Sequence, residues 1–398
     1  MMYLQRLWRA LSTLTWRKPS RCAVVQFGGV EVTAFSLLAD EFQIGVMPLV
    51  SEQISLPVLF RAWTKLRISR WGYYQAFVKM TGARVALVWH DTNIAAYQLR
   101  HHIQIPVFCV QNGVRHNLAP ASAKGFRDQL QRAASSQLPT ADAYFCFGRP
   151  EPTYFANIIR TTFIPHGSLR ANAYAALRND QTPVEPIIGI GLIVSFPNRQ
   201  SVPGESIVDN REPFMRIGSR VLTYQEYFSF DAVVARAVSA VCKQRNLHFS
   251  VIGKRSEQTS PEIQYFRDCV DNQVDVLTHM KGEGYEVAER CRYLVTIDST
   301  LGYEMRALGK PVAFLGNRLR HLNIADRDLT FGFPLDLPVD GPYWSSATTE
   351  SEIVQFLHRW IESVVSQETQ KDSFELMHLD PGNTQLRGMI RAALENAS

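Results

Sequence analysis

The stretch Tyr293–Gly316, YLVTIDSTLGYEMRALGKPVAFLG, limits the fold more than any other part of this chain. An apolar, β-branched run (Leu294, Val295, Thr296, Ile297) ends at Asp298-Ser299-Thr300. A segment of helical composition carrying Glu304 follows, then Gly309-Lys310-Pro311, then a second apolar run over Val312–Leu315. The pattern predicts strand, loop, helix and strand, with the polar residues at the C-terminal end of the first strand, where open α/β sheets bind ligands. Ser299 and Thr300 are good N-cap residues, and the free amides of a helix start attract anions such as phosphate. The stretch therefore reads either as a holder for the nucleotide part of an activated sugar or as an ordinary unit with a capped helix.

The same alternation runs through the rest of the chain. CAVVQFGG, RVALVWHDTN, PVFCVQNGVR, AYFCFG and FIPHGS are short apolar runs with polar residues or glycine at their C-terminal ends. Separated by helical stretches, they predict parallel strands in βαβ units. Residues 34–48 and 53–80 read as largely helical, and the aromatics of the second stretch (Phe60, Trp63, Trp71, Tyr73, Tyr74, Phe77) as core. Residues 169–186 lose the strand pattern and gather Asn, Asp, Thr and Pro, as a hinge does. A second alternation follows: IIGIGLIVS, a helix over about 223–245, LHFSVIGK, a helix near 261–271, VDVLTH, and the opening unit. Residues 197–222 lack periodicity and are expected to form a long loop over a ligand cleft. Helical patterns return at about 350–368 and 383–396.

The expected fold is α/β, with two Rossmann-like doubly wound domains facing across a cleft, in a GT-B-like layout. Residues 1–20 form a basic amphipathic helix, 21–172 an N-terminal acceptor-side domain, 173–186 the linker, and 187–398 a C-terminal nucleotide-sugar domain with the last helices. The 398 residues suffice for two cores, and a composition 46% hydrophobic and 20% charged is that of a globular protein. The net charge of +5 suits an anionic ligand or surface but is too weak to argue for nucleic acid. Six scattered cysteines without a CxxC pair read as buried thiols of a reducing compartment. No run reaches the roughly 18–20 apolar residues of a membrane span, and the N-terminus has no secretory-signal pattern. A cytoplasmic protein is expected. Leu4, Leu7, Trp8, Leu11 and Leu14 share one helical face among Arg6, Arg9, Arg17 and Lys18, which suits either packing on the first domain or weak contact with the inner face of the cytoplasmic membrane.

Candidate chemistry lies at the strand ends. Asp91 and His90 are candidates for the base that deprotonates an acceptor hydroxyl, or for a helix cap. Gln111-Asn112-Gly113 with Arg115 reads as a turn, or as a group that hydrogen-bonds an acceptor or a sugar carboxylate. His166, before a glycine that admits close backbone approach, is a candidate to bind the acceptor or sugar, or a structural histidine near the hinge. Gly253-Lys254-Arg255 is suited to clamp a phosphate, or to form a solvated basic turn. Asp298, Ser299, Thr300, Gly302 and Glu304 form the most specific cluster, with Glu304 placed to accept from ribose hydroxyls or simply a favourable acid near the helix N-terminus, and Arg318, Arg320 and His321 extend a positive rim. HExxH, a Cys/His cluster, a Walker loop, GxSxG and a DxD pair are all missing, which argues against a metal site and a serine hydrolase. No cofactor is called for.

QNGVR, LTYQEYFSFDAVVARAVSAVCKQRNLHFSVIGKR, VTIDSTLGYEMRALGKPVAFLGNR and FGFPLDLPVDGPYW together resemble bacterial surface carbohydrate biosynthesis proteins, a GT-B glycosyltransferase-like family associated with O-antigen and capsule assembly. The resemblance covers about residues 85–345 and is most specific at DSTLGYE with GKPVAF. It implies sugar transfer from a nucleotide donor. It points to Gln111, Asn112, Gly113 and Arg115 in the first domain, and to Gly253, Lys254, Asp298, Ser299, Thr300, Gly302, Tyr303 and Glu304 in the second. The family tends to have Asp-Asn where this chain has Asp91-Thr92.

The expected function is a metal-independent glycosyltransferase of surface polysaccharide biosynthesis. It would act on a nucleotide-sugar donor and a saccharide or lipid-linked saccharide acceptor, with a CMP-linked acidic sugar slightly favoured over UDP or GDP donors. The alternatives are a nucleotide-sugar epimerase, a polyol-phosphate transferase, and a non-catalytic nucleotide-sugar-binding assembly factor.

Overall fold

The computed structural model describes residues 14–28, 34–49, 53–67, 69–89, 93–113, 128, 130–135, 137–178, 187–194, 211–217, 219–253, 261–270, 275–277, 284–324, 338–366 and 376–396. His90, Asp91, Arg115, Lys254 and Arg255 lie outside them. The chain divides into two units. One takes the described residues up to Gly113, those within 126–177 and those from Met377 on; the other takes those within 178–376.

Strands are numbered in chain order. In the first unit β2 (Val24–Phe27), β3 (Ile44–Met47), β5 (Val85–Val88), β6 (Val107–Val110), β7 (Thr140–Cys146) and β8 (Arg160–Pro165) form one sheet in the order β3-β2-β5-β6-β7-β8. Every pair in it is parallel. The central strands β5 and β6 are apolar along their whole length because both faces are covered. Val25, Ala86 and Val88 face a core shared with Tyr73, Tyr74 and Phe77 of the Arg70–Thr81 helix. Val24, Val85 and Leu87 face the opposite core.

That opposite core is closed by the end of the chain. Leu386 and Ile390, one turn apart on the Thr384–Glu395 helix, are fully buried against Val85, Leu87 and Phe108. Burying two such side chains is worth roughly 3–6 kcal/mol. Asp380 ties down the helix start by accepting from the Gln385 amide at 2.9 Å, and the Arg84 guanidinium donates to the Leu394 carbonyl at 2.7 Å. The assignment of all of 187–398 to one C-terminal domain is thus corrected at its end. The helical pattern near 383–396 predicts the element, but pairwise packing decides which sheet it covers.

In the second unit β9 (Ile187–Ile193), β12 (His248–Ile252), β13 (Asp275–Leu277), β14 (Cys291–Thr296) and β15 (Val312–Phe314) form a parallel sheet in the order β13-β12-β9-β14-β15. The chain winds outward from β9 to β13, then returns to the other side of β9 at β14. The Tyr224–Arg245 helix covers this sheet. It begins with a capping box, in which Thr223 Oγ1 accepts from the Glu226 amide at 3.2 Å and Glu226 Oε2 accepts from the Thr223 amide at 2.8 Å. It ends at Asn246 in the left-handed region, with φ 52°.

Both sheets follow the predicted alternation, and four local expectations change. Residues 44–47 are the edge strand β3 rather than helix. Pro213–Ile217 (β10) and Arg220–Thr223 (β11) pair as an antiparallel hairpin within the segment expected to be a loop. Of the expected 1–20 helix, Leu14–Thr15 is instead a short strand (β1) paired parallel with Ile54–Ser55 (β4), and residues 1–13 lie outside the described residues. Of the expected linker, residues 173–178 belong to the Leu169–Arg178 helix, and 179–186 lie outside the described residues.

Gly167, with φ 83°, passes so close to the C-terminal segment that an added Cβ would lie 2.0 Å from the His378 carbonyl oxygen. Gly167→Ala is expected to destabilise the first unit by more than about 2 kcal/mol, since strain and overpacking act together. Limited proteolysis should then release the C-terminal helix first. Unchanged protection there would show that this contact does not hold the segment.

Candidate functional site

In the second unit the sheet's winding reverses between β9 and β14, and the ends of these strands are joined by Thr296 Oγ1 donating to the Ile193 carbonyl at 3.4 Å. Ligands of doubly wound sheets bind at this reversal. Asp298 and Ser299 stand there, immediately before the Thr300–Ala307 helix, with Thr300 as its first residue. Gly302 lets the helix approach the strand end: an added Cβ would lie 2.4 Å from Thr296 Cγ2 and 3.0 Å from Thr296 Cβ. The absence of a side chain at 302 thus sets where the helix starts.

Ser299 sits at the N-cap with an extended backbone, but its side chain does not cap the helix. Its amide instead donates to Thr296 Oγ1 at 3.2 Å, and its carbonyl accepts from the Gly302 amide at 3.0 Å. Among the described residues no hydrogen bond engages the Ser299 or Thr300 hydroxyl, or the Thr300 or Leu301 amide. These two amides belong to the set that a helix cannot satisfy internally. Together the four groups form a half-exposed row of donors at the positive end of the helix dipole. Glu304 is buried one turn further on, and Gly253 is buried at the end of β12.

Arg318 does not extend a positive rim, as the sequence suggests; it is buried inside the unit. Its Nε and Nη2 donate to the two carboxylate oxygens of Asp231 at 2.7 and 2.8 Å, and its Nη1 donates to Asp298. The rings of Tyr227 and Phe228 lie 5.1 and 4.9 Å from the guanidinium carbon. Burial opposes the charge, but Asp231 and Asp298 outweigh it and hold the Arg318 cation well above its ordinary range. Burial pushes the Asp231 carboxyl upward against the pull of the same guanidinium. The cluster fixes the Asp298 loop to the long helix and to the short Arg318–His321 helix. Asp231 belongs to none of the strand-end motifs; its signal in the sequence is a lone acid on the apolar run FSFDAVV, which calls for a buried cation partner.

Two candidates of the first unit also prove to be internal. Gln111 is fully buried. Its Nε2 donates to the Gly113 carbonyl at 2.8 Å and to Glu151 at 2.9 Å, while its Oε1 accepts from the Phe147 amide at 2.8 Å. Asn112 is half-buried beside it and engaged. His166 is fully buried, with Nδ1 3.1 Å from the Gly167 carbonyl and Nε2 3.7 Å from Asp380. Burial depresses its pKa to about 4, against the opposing pull of Asp380. Asn172 donates to the His166 carbonyl at 2.9 Å and to Asn383 at 3.1 Å, which secures the C-terminal segment. The structure therefore brings together Asp298, Ser299, Thr300, Gly302, Glu304 and Arg318, and gives Gln111 and His166 to internal bonding.

Two parallel, doubly wound sheets with a helix N-terminus at the reversal of the second define a GT-B-like protein built of two Rossmann-like units. The chain belongs to the family described as "putative O-antigen biosynthesis protein", whose model matches residues 108–394. Its structure resembles UDP-GlcNAc 2-epimerase from Neisseria meningitidis bound to UDP-GlcNAc, with a TM-score of 0.51 and 11% identity over 94% of this chain and 99% of the other. It also resembles S. aureus MnaA in a co-structure with UDP, with a TM-score of 0.50 and 11% identity over 94% and 96%. At this identity the likeness is one of fold. No curated protein matches the sequence.

Removing the Arg318 cation strands two carboxylates, one of them fully buried. Arg318→Met is therefore expected to cost about 3–5 kcal/mol in chemical denaturation, with part regained in Arg318→Met/Asp231→Leu. Equal losses in the single and double variants would show that the ion pair is not what holds this region. His166 predicts a pH effect. Its folded pKa lies below its unfolded value, so its contribution is complete above about pH 6.5 and is lost as pH falls toward 4. Between pH 7.5 and 5 this amounts to about 2 kcal/mol. The difference in stability between the wild type and His166→Asn should shrink by that amount over the interval; a constant difference would refute a neutral buried imidazole.

Proposed function

We propose that the protein transfers a sugar from a nucleotide-activated donor in bacterial surface polysaccharide biosynthesis, and that the second unit holds the donor. The observation that carries this reading is the row of uncommitted donors at the sheet reversal: the Ser299 and Thr300 hydroxyls with the Thr300 and Leu301 amides. Such a helix start binds a phosphate without a metal ion and stabilises the negative charge that develops as the nucleotide departs. Membership of the O-antigen biosynthesis family supplies the biosynthetic setting. The fold likeness to proteins solved with UDP-GlcNAc and with UDP favours a nucleotide ligand.

In this reading Gly253, Lys254 and Arg255 flank the diphosphate, and Glu304 accepts from the ribose hydroxyls. Asp298 and Arg318 act behind the site, holding its loop. Asp91 or His90 takes the proton of the acceptor hydroxyl as the new glycosidic bond forms and the bond to the nucleotide phosphate breaks. Asn112 and Arg115 contact the acceptor or the transferred sugar. The net charge of +5 is compatible with a CMP-linked acidic sugar. The second reading is a nucleotide-sugar epimerase, favoured by the fold likeness to UDP-GlcNAc 2-epimerase.

Thermal unfolding in the presence of CMP, CDP, UDP or GDP tests the site. One of them is expected to stabilise the protein, by about 2.7 kcal/mol at a concentration 100 times its dissociation constant. Ser299→Ala/Thr300→Ala should weaken that nucleotide by roughly tenfold or more, through the loss of two hydrogen-bonding hydroxyls. The labelled sugar of the matching nucleotide should remain unchanged without an acceptor and move to saccharide when one is supplied. Epimerisation without an acceptor would sink the transferase reading, and no stabilisation by any nucleotide would sink the donor site.

A further inference from the structure

The aromatic stretch after β4 divides in a way that its sequence does not announce. On the Arg70–Thr81 helix, Tyr73, Tyr74 and Phe77 are core. The preceding Leu56–Trp63 helix is apolar on both sides. Val58 and Ala62 are buried in the sheet's core, while the opposite side shows Phe60 at 62% and Trp63 at 57% exposure, their rings 5.5 Å apart. A helix apolar all round is ordinarily enclosed.

Two neighbours enlarge this face. Leu66, which follows the helix, is 88% exposed and stands in the left-handed region with φ 54°, a conformation unfavourable for a residue with a Cβ. Trp16, 80% exposed, follows β1, whose parallel register with β4 carries it alongside the start of the helix. Ser55 Oγ donates to the Arg17 carbonyl at 2.9 Å and fixes that placement. A cluster of large exposed apolar residues, one of them in a strained backbone conformation, marks an interaction surface.

Charge selects the occupant. Segments 14–28, 53–67 and 69–89 carry nine Lys or Arg and no Asp or Glu. Arg17, Arg61, Lys65 and Arg67 are exposed around the aromatics. A second copy of this face would bring cations against cations, and its described residues include no acid with which to pair them. A lipid surface with anionic headgroups meets both properties, since Trp and Phe seat at the headgroup level and Lys and Arg meet the lipid charge. We infer that Trp16, Phe60, Trp63 and Leu66, ringed by these cations, form a monotopic docking face for an anionic membrane. This face gives the first unit a place at the membrane without a spanning helix: among the described residues no helix is long and apolar enough to cross a bilayer.

Flotation of the full chain with vesicles of phosphatidylethanolamine and phosphatidylglycerol, and with vesicles of phosphatidylcholine alone, tests the inference. Binding to the first kind and not to the second is expected, weakening as salt rises. Arg61→Gln/Lys65→Gln should weaken it about thirtyfold, the conversion of about 1 kcal/mol per cation. Phe60→Ser/Trp63→Ser/Leu66→Ser, all at exposed positions, should abolish flotation while leaving the unfolding temperature unchanged or higher. No binding to the anionic vesicles overturns the inference. So does undiminished binding of the triple variant, or a wild-type dimer that the triple variant converts to monomer. Vesicle binding is read without nucleotide, so its failure leaves the donor site standing, and failure of the nucleotide test leaves this face standing.

Discussion

Parallel pairing governs how this molecule can work. A parallel strand must be followed by a crossover, so every strand of a sheet delivers its next loop to the same edge. In each unit the main sheet is parallel throughout. The inner strands are covered on both faces and built mainly of apolar residues, so most exposed polar groups collect at the C-terminal edge. In the second unit the reversal between β9 and β14 leaves a helix start there, held close to the strand end by Gly302. Helix amides and hydroxyls that the chain itself leaves unused follow from that geometry.

Not every polar group at this edge remains available. Gln111, His166 and Arg318 all follow strands of the parallel sheets, and all are buried. A buried amide, imidazole or guanidinium is costly unless its hydrogen-bonding capacity is met. Each of the three accordingly has internal partners: Glu151 and Phe147 for Gln111, Gly167 and Asp380 for His166, Asp231 and Asp298 for Arg318. These ties act across long sequence separations. His166 and Asn172 bind the segment at 378–383 to the first unit, and Arg318 joins the loop after β14 to the long helix before β12. Side chains that look like ligand groups are here the means by which loops are fixed.

The Leu56–Trp63 helix shows the complementary case. A core needs only one side of it, through Val58 and Ala62, and its other side remains in solvent with Phe60 and Trp63 uncovered. These exposed aromatics lie in segments whose described charges are all cationic, the combination from which membrane docking is inferred.

How much of this was legible in the chain depends on the range of the interaction. Strand and helix order is written in local periodicity, so the β9-to-β15 alternation and the DST loop with its helix can be read from residues a few positions apart. Asp298, Ser299, Thr300 and Gly302 were legible for the same reason. The hairpin of β10 and β11 was not, because its pairing outweighs an aperiodic sequence. Nor were the burial of Arg318, the inward turn of Gln111, or the return of the last helix to the first unit. By itself the sequence determined two parallel doubly wound sheets, the polar loops at their edges, and an acid-free cationic start. Only the tertiary structure decided which of those loop residues are spent on internal bonds and which aromatics face water, because both depend on partners far away in the chain.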